Sequence, residues 1–171
     1  ANATWLVCDT ICVPEDVDTL AQAVSEAGNG WTIRLGAGVF DLPSTQQITS
    51  GIRLVGTVDY ESGRPQTFLT RDGGWILDLR GGGSSPITVE NLNFSGATRG
   101  AYIYRPGGEI IFRNCDFEDN HYTSSTAGRG GAAISVGNTD SVVSIENCWF
   151  KNNTSDVSGF LSGGGAIRSN G

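Results

Sequence analysis

Apolar residues recur along this chain with two different periods. Over PEDVDTLAQAVSEAG (14–28), Val17, Leu20, Ala21, Val24 and Ala27 fall on one face at helical spacing. Asp16 or Asp18 is placed to cap the N-terminus of that helix, and Gly28 to follow its last turn. From Trp31 onward the period changes to two. TIRL (32–35), GIRLVG (51–56), GGWILDL (73–79), ITVENLNF (87–94), EIIFRNCDF (109–117) and VVSIENCWF (142–150) are short β-rich runs separated by Gly, Ser, Asp and Asn. The pattern predicts an all-β body with a single helix laid against it.

Three of these runs share a phrase, apolar-x-apolar-x-Asn-(Leu or Cys)-x-Phe. It is carried by Ile87, Val89, Asn91, Leu92 and Phe94; by Ile110, Phe112, Asn114, Cys115 and Phe117; and by Val143, Ile145, Asn147, Cys148 and Phe150. A second phrase, GAYI (100–103), GAAI (131–134) and GGAI (164–167), alternates with the first. A unit of short strands that tolerates insertions on one side is what a parallel β-helix requires, each turn stacking about 4.8 Å above the last. Asn91, Asn114 and Asn147 then form a side-chain amide ladder at a bend, and Phe94, Phe117 and Phe150 an aromatic column inside. A β-sandwich also has alternating strands, but it gives no reason for like residues to recur in register. The outward slots agree with stacking: Glu90, Arg113 and Glu146 share one slot, and Glu118 and Lys151 another, so neighbouring turns bring opposite charges together.

The expected fold is a solenoid of about five to six turns with an N-terminal capping helix. It forms a single domain over 1–171, with the N-terminal segment and capping helix in 1–30 and the turns in 31–171, or it is the N-terminal part of a longer solenoid.

Composition narrows the function. The chain has 171 residues, 25 of them Gly, a formal net charge of −7 and one lysine, Lys151. A surface that neutralises phosphates cannot be built from ten scattered arginines, which argues against nucleic-acid binding. No apolar run reaches the ~18 residues of a membrane span. Four cysteines without metal spacing point to disulfides and an oxidising compartment. Cys8 and Cys12 bracket a short loop before the helix. Cys115 and Cys148 occupy the inward slot of Leu92, as either a buried thiol pair or a bond between turns, and the bond is the expectation taken forward. Sequons at Asn2, Asn93, Asn152 and Asn153 are glycosylation candidates. Together these features place the protein outside the cell or on its surface.

Two resemblances follow from the motifs. Residues 17–56, with VDTLAQAVSEAGNGWTIRLGAGVF and then QQITSGIRLVG, resemble the start of right-handed β-helix proteins of the pectate-lyase-like superfamily. Residues 87–167 are similar to the GGAI/FxxN repeats of the polymorphic outer-membrane protein family, through Phe117 to Asn120, Phe150 to Asn153 and Gly164 to Ile167. The resemblance implies a right-handed helix and two kinds of role, polysaccharide cleavage or surface adhesion.

The motifs of catalysis are thin. The Asp-Asp, Gly-His-Gly and Arg-x-Lys signatures of polygalacturonase-like proteins are missing, and the only histidine is His121. A lyase-like calcium site needs six to eight oxygens. Asp116, Glu118 and Asp119, with Asp140 further along, could supply a few, but the equivalent slots of other turns lack carboxylates. The glycine clusters at 81–85 and 130–131 read as corners, since neither leads from a strand into a helix with a following lysine. No catalytic residue, metal or cofactor is therefore assigned. The final GGGAIRSNG opens another turn, which points to end-to-end self-association or to more solenoid. The expectation is a non-catalytic extracellular structural or adhesive module that binds glycans or cell-surface receptors or assembles into a filament. The alternative is a polysaccharide lyase, hydrolase or epimerase.

Overall fold

The computed structural model of the chain describes residues 9–124, 130–137, 140–157 and 165–169. Asn2, Cys8 and Gly164 lie outside the described residues.

The helix α1 runs from Leu20 to Glu26, much shorter than the apolar period over 14–28 suggests. Its cap is Thr19, whose Oγ1 accepts the Gln22 N–H at 3.2 Å, and not Asp16 or Asp18. Asp16 is used elsewhere: its carboxylate accepts the Cys12 N–H at 2.7 Å, closing a turn in which the Asp16 N–H returns to the Cys12 carbonyl at 2.8 Å. That turn, just after Pro14, takes the residues that would have formed the first helical turn. The far end stops at Ala27 in an extended conformation, so Gly28 does not serve as a left-handed cap. Leu20 and Ala23 are buried, and the helix closes one end of the core against the strands Thr10–Val13, Thr32–Leu35 and Gln46–Ile48.

The remainder is β structure in parallel sheets. The first sheet orders β1 (Thr10–Val13), β2 (Thr32–Leu35), β5 (Arg53–Val55), β8 (Ile87–Glu90), β11 (Glu109–Arg113) and β15 (Val142–Glu146). The second orders β3 (Gly38–Asp41), β6 (Thr67–Thr70), β9 (Leu92–Ser95), β12 (Asp116–Glu118) and β16 (Trp149–Lys151). The third orders β4 (Gln46–Ile48), β7 (Trp75–Arg80), β10 (Arg99–Tyr104), β14 (Ile134–Val136) and β18 (Ile167–Ser169). After β1 the chain visits the three sheets in strict rotation, and each circuit lies beside the one before. A small side sheet pairs β13 (His121–Ser124) with β17 (Thr154–Val157), on the chain that links the second sheet to the third.

In-register pairing sorts the core into columns. Ile33, Leu54, Val89, Phe112 and Ile145 stack in the first sheet, and Phe40, Leu69, Phe94, Phe117 and Phe150 in the second. The rings of Phe94 and Phe117 stack at 4.8 Å between centroids, and those of Phe117 and Phe150 at 5.2 Å. Strand alternation turns these residues inward and their neighbours out.

Each long run of the shared phrase is broken at its asparagine. Asn91, Asn114 and Asn147 have φ of 57°, 49° and 51°, the left-handed region that Asn tolerates better than most residues. The chain thereby turns from the first sheet to the second, and the amides stack: Asn114 Nδ2 donates to Asn91 Oδ1 at 2.9 Å, and Asn147 Nδ2 to Asn114 Oδ1 at 3.1 Å. One circuit earlier the slot holds Gly56, where a Cβ would lie 2.2 Å from the Asn91 carbonyl oxygen.

A second ladder follows each FxxN phrase. Asn120 Nδ2 donates to Asn153 Oδ1 at 2.9 Å and to the Phe94 carbonyl at 3.0 Å, while Asn153 Nδ2 donates to the Phe117 carbonyl at 2.7 Å. The residues just before them, Asp119 and Asn152, are left-handed and joined at 2.9 Å.

The register of the third sheet differs from the sequence alignment in one place. GAAI and GGAI align as expected, Ile134 beside Ile167, but Ile134 pairs with Ala101 and Ile103 pairs with Val136. GAYI is thus displaced by two residues, which preserves the inward face because the side-chain period of a strand is two.

Outside, Arg53 meets Glu90 at 2.6 Å, and Arg113 lies 3.6 Å from Glu90 and 2.8 Å from Glu146, an alternating ladder over four circuits. Glu118 and Lys151 are in register without an ion pair, and Glu118 instead accepts from Asn93 Nδ2 at 3.4 Å.

Candidate functional site

Phe68, Asn93, Asp116 and Trp149 are register partners along the second sheet and face away from its core. The chain between β5 and β6 folds back on itself through a bridge of Val58 to Pro65 and lies over this column. The tip is held by Asp59, whose carboxylate accepts the N–H groups of Ser62 at 2.8 Å and Glu61 at 3.2 Å; these bonds hold Asp59 below its ordinary pKa. Arg64 then reaches the column. Its guanidinium is ion-paired with Asp116, donates to Asn114 Oδ1 at 3.4 Å and lies 4.6 Å from the centre of the Trp149 ring.

This arrangement uses up the carboxylates of the calcium hypothesis. Asp116 is buried and neutralised by an arginine, Asp119 accepts from Asn152 in the corner ladder, and Glu118 is turned to Asn93. The backbone carbonyl of Asp140 is engaged at a different corner, by Gly107 N–H at 3.0 Å. Among the described residues no group of three or more His, Cys, Asp and Glu side chains is gathered to hold a metal.

His121 has partners that the sequence did not suggest. Its Nδ1 lies 2.6 Å from Thr154 Oγ1, and its Nε2 3.3 Å from Asp156 Oδ2, because β13 and β17 place Thr154 beside His121 and Asp156 two residues on. Hydroxyl, imidazole and carboxylate stand in the order of a hydrolase triad, but with the roles of the two ring nitrogens exchanged. Here His121 is 50% and Asp156 75% exposed, so water competes at every member, and a water-excluded pocket is what gives such a relay its strength.

The sequons differ in access. Asn93 is 3% exposed, which leaves no room for a glycan on its amide in the folded chain. Asn153 commits its amide nitrogen to the Phe117 carbonyl at 2.7 Å and Asn152 its own to Asp119 Oδ1 at 2.9 Å, although Asn152 is exposed.

Cys12, Cys115 and Cys148 are free thiols, so the expected bond between Cys115 and Cys148 is not formed. The reason is geometric: in-register parallel stacking sets equivalent atoms about 4.8 Å apart, and a disulfide needs its Cβ atoms within about 3.5–4.5 Å. The expected Cys8 to Cys12 link involves a residue outside the described set. Cys115 is fully buried and Cys148 half-buried, with the Cys115 N–H directed to Cys148 Sγ at 3.4 Å. Burial pushes the Cys115 thiol up, with the neighbouring Cys148 adding to the effect. The hydrogen bond from Cys115, helped by the Cys115 N–H and Arg64, brings Cys148 down to about 7.

Two buried arginines also escaped the sequence reading. Arg105 is 1% exposed and donates to the carbonyls of Thr49 at 3.1 Å, Arg80 at 2.8 Å and Ser85 at 2.8 Å. Arg99 donates to the Gly130 and Gly131 carbonyls at 2.9 and 3.1 Å and lies 4.2 Å from the centre of the Tyr122 ring. The two glycine clusters are therefore corners, and each turns carbonyl oxygens toward a buried guanidinium. No periodicity marks either arginine.

The two ends of the stack differ. At the β1 end α1 covers the core. At the other end β15, β16 and β18 are the last described strands of their sheets, and Val142, Ile145, Trp149 and Ile167 are 58%, 38%, 60% and 41% exposed. A cavity of about 280 Å³ opens there, lined by Val136, Val143, Ile145 and Ile167 among others. Comparison with protein-family models, curated proteins and solved structures finds no match to this chain. Among the described residues no helix is long and apolar enough to cross a membrane.

Proposed function

We propose that the chain is a right-handed parallel β-helix module that acts outside the cell as a non-catalytic structural or adhesive element and extends by addition at the end that the described residues leave uncovered. The rotation through three parallel sheets and the in-register ladders support the helix, and parallel crossovers are right-handed in about 98% of cases. The observation that carries the reading is the end face. The last described strands of the three sheets, β15, β16 and β18, belong to one circuit, Asn147 is the last described member of the amide ladder and Phe150 of the ring stack, and a largely aliphatic cavity opens between β15 and β18. Such an edge is a template for another strand. Further circuits of the same repeat, or a second copy of the chain, fit it best. Glycans or receptors would meet the insertions near β13 and β17.

Light scattering across a concentration series, followed by electron microscopy, tests this. End-to-end particles are expected, together with binding in a glycan or cell-surface screen and no turnover. Loss of viscosity of a uronic-acid polymer in the presence of calcium would overturn it in favour of a polysaccharide-cleaving enzyme.

A further inference from the structure

We infer that Cys148 and Cys115 form a thiol–disulfide exchange site for small disulfides of the glutathione class, with Cys148 as the attacking thiol and Cys115 as the buried resolving thiol. The inference concerns the chain with its end face open, because Cys148 lies in the inward slot of the last described circuit and end-to-end addition would enclose it as Cys115 is enclosed.

Two features of the site divide the roles. The repeat places both sulfurs in the same inward slot of adjacent circuits, but only Cys148 has solvent access, while Cys115 is fully enclosed. The Cys115 N–H points at Cys148 Sγ from 3.4 Å, and the strap from β5 to β6 brings the Arg64 cation near it, so negative charge on that sulfur is met by fixed donors. Each sulfur also faces two carbonyls, Cys115 those of Arg113 at 3.3 Å and Val89 at 3.5 Å, Cys148 those of Glu146 at 3.3 Å and Phe112 at 3.7 Å, so it is access and the added donor that separate the two. With Cys148 held below the ordinary thiol range by these donors, more of it is thiolate at neutral pH than the few per cent of an unperturbed thiol of about 8.5.

The steps balance as ordinary exchange. Cys148 thiolate attacks one sulfur of the disulfide RSSR; the S–S bond breaks, RS⁻ leaves and takes a proton from water, and Cys148 carries a mixed disulfide. Cys115 then loses its proton to solvent and attacks Cys148 Sγ, expelling the second RS⁻. The protein loses two electrons and two protons in forming the Cys115 to Cys148 bond, and RSSR becomes two RSH. Closure asks the stacked circuits to approach by about 1 Å, and the resolving thiol is reluctant to ionise. The second step is therefore the slow one, and the mixed disulfide accumulates.

The test is intact-mass and peptide-mapping spectrometry of the reduced chain with oxidised glutathione, in a Cys8→Ser, Cys12→Ser background. The expected result is one glutathionyl adduct, mapped to Cys148, that converts slowly to a species lighter by two hydrogens than the reduced chain. The rate of adduct formation should be half-maximal near pH 7 and move to higher pH in Arg64→Gln. Cys115→Ser should keep the adduct and block its conversion; Cys148→Ser should remove both. Because Cys148→Ser could disturb folding, mapping of the first site alkylated by iodoacetamide in the unsubstituted chain supplies the same information. First labelling at Cys115, no adduct after prolonged incubation, or a half-point near 8.5 would each overturn the inference.

Discussion

The side-chain amide of Asn114 donates to Asn91 Oδ1 at 2.9 Å, one circuit back, while its own oxygen accepts from Asn147 at 3.1 Å one circuit on. Asn114 is also left-handed, with φ 49°, so backbone and side chain make separate demands at one position. Asn114→Gly keeps the conformation and loses the amide. Asn114→Ala loses both, since a left-handed Cβ costs roughly 1–2 kcal/mol beyond amide bonds of about 1 kcal/mol each. Urea denaturation should rank wild type above Gly and Gly above Ala; equal loss in the two variants would mean that the conformation contributes nothing.

Phe117 is sandwiched between Phe94 and Phe150, with no exposed surface. Phe117→Ala should destabilise by about 3–5 kcal/mol, the range for emptying an aromatic site in a core. Phe150→Ala, at the half-covered end of the column, should cost less. Thermal melts of the two variants give the comparison.

The ladders were legible because stacking repeats a side chain at a fixed slot, and repetition is visible in one dimension. Asn91, Asn114 and Asn147 and the three phenylalanines emerge from alignment alone. What the alignment could not give was the break at each Asn, since NLNF reads as one strand until the positive φ divides it. It also missed features made by unlike residues far apart. Arg64 crosses two circuits to reach Asp116, and Arg105 finds carbonyls from Thr49 to Ser85, with no sequence period in either case. The charge column was half read: Glu90, Arg113 and Glu146 align, but Arg53 joins diagonally, being opposite Thr88 in register.

Glu90 gives the pH dependence of that column. The hydrogen bonds from Arg53, reinforced by Arg113, hold it below its ordinary value of 4.5. A carboxylate with a lowered folded pKa contributes stability that is fully present above the unfolded pKa and is lost as pH falls through the folded one. Melting temperature should therefore be insensitive to this group above about pH 5 and decline below about 4.5. Glu90→Gln should lower stability at neutral pH and flatten the acid limb; an unchanged acid limb would remove Glu90 as its source.

Arg105 donates to three carbonyls, those of Thr49, Arg80 and Ser85. Arg105→Met fills the volume but removes the donor from all three, at about 1–3 kcal/mol for each oxygen left unsatisfied before relaxation. A loss of about 3–5 kcal/mol is expected by urea denaturation, as for breaking a buried charged network. Arg105→Lys, which cannot span three oxygens with a planar fork, should recover part of it. If Met proves as stable as wild type, the corner carbonyls are being hydrated and the guanidinium is dispensable.

Ile145 and Ile167 are 38% and 41% exposed on the last described strands, flanking the end cavity. Being half out of the core, either position should accept lysine at a small cost in stability, whereas an incoming strand would have to bury the new charge. Lysine on a strand edge is the device by which sheets resist edge-to-edge pairing. Ile145→Lys with Ile167→Lys should therefore abolish concentration-dependent assembly while leaving circular dichroism and melting close to wild type. Raised salt separates this from a charge-driven contact, since association through apolar surface and backbone edges survives screening and attraction between exposed charges does not. Assembly that persists in the double variant, or that disappears in salt for the wild type, would place the contact elsewhere on the molecule and leave the end face without a role in association.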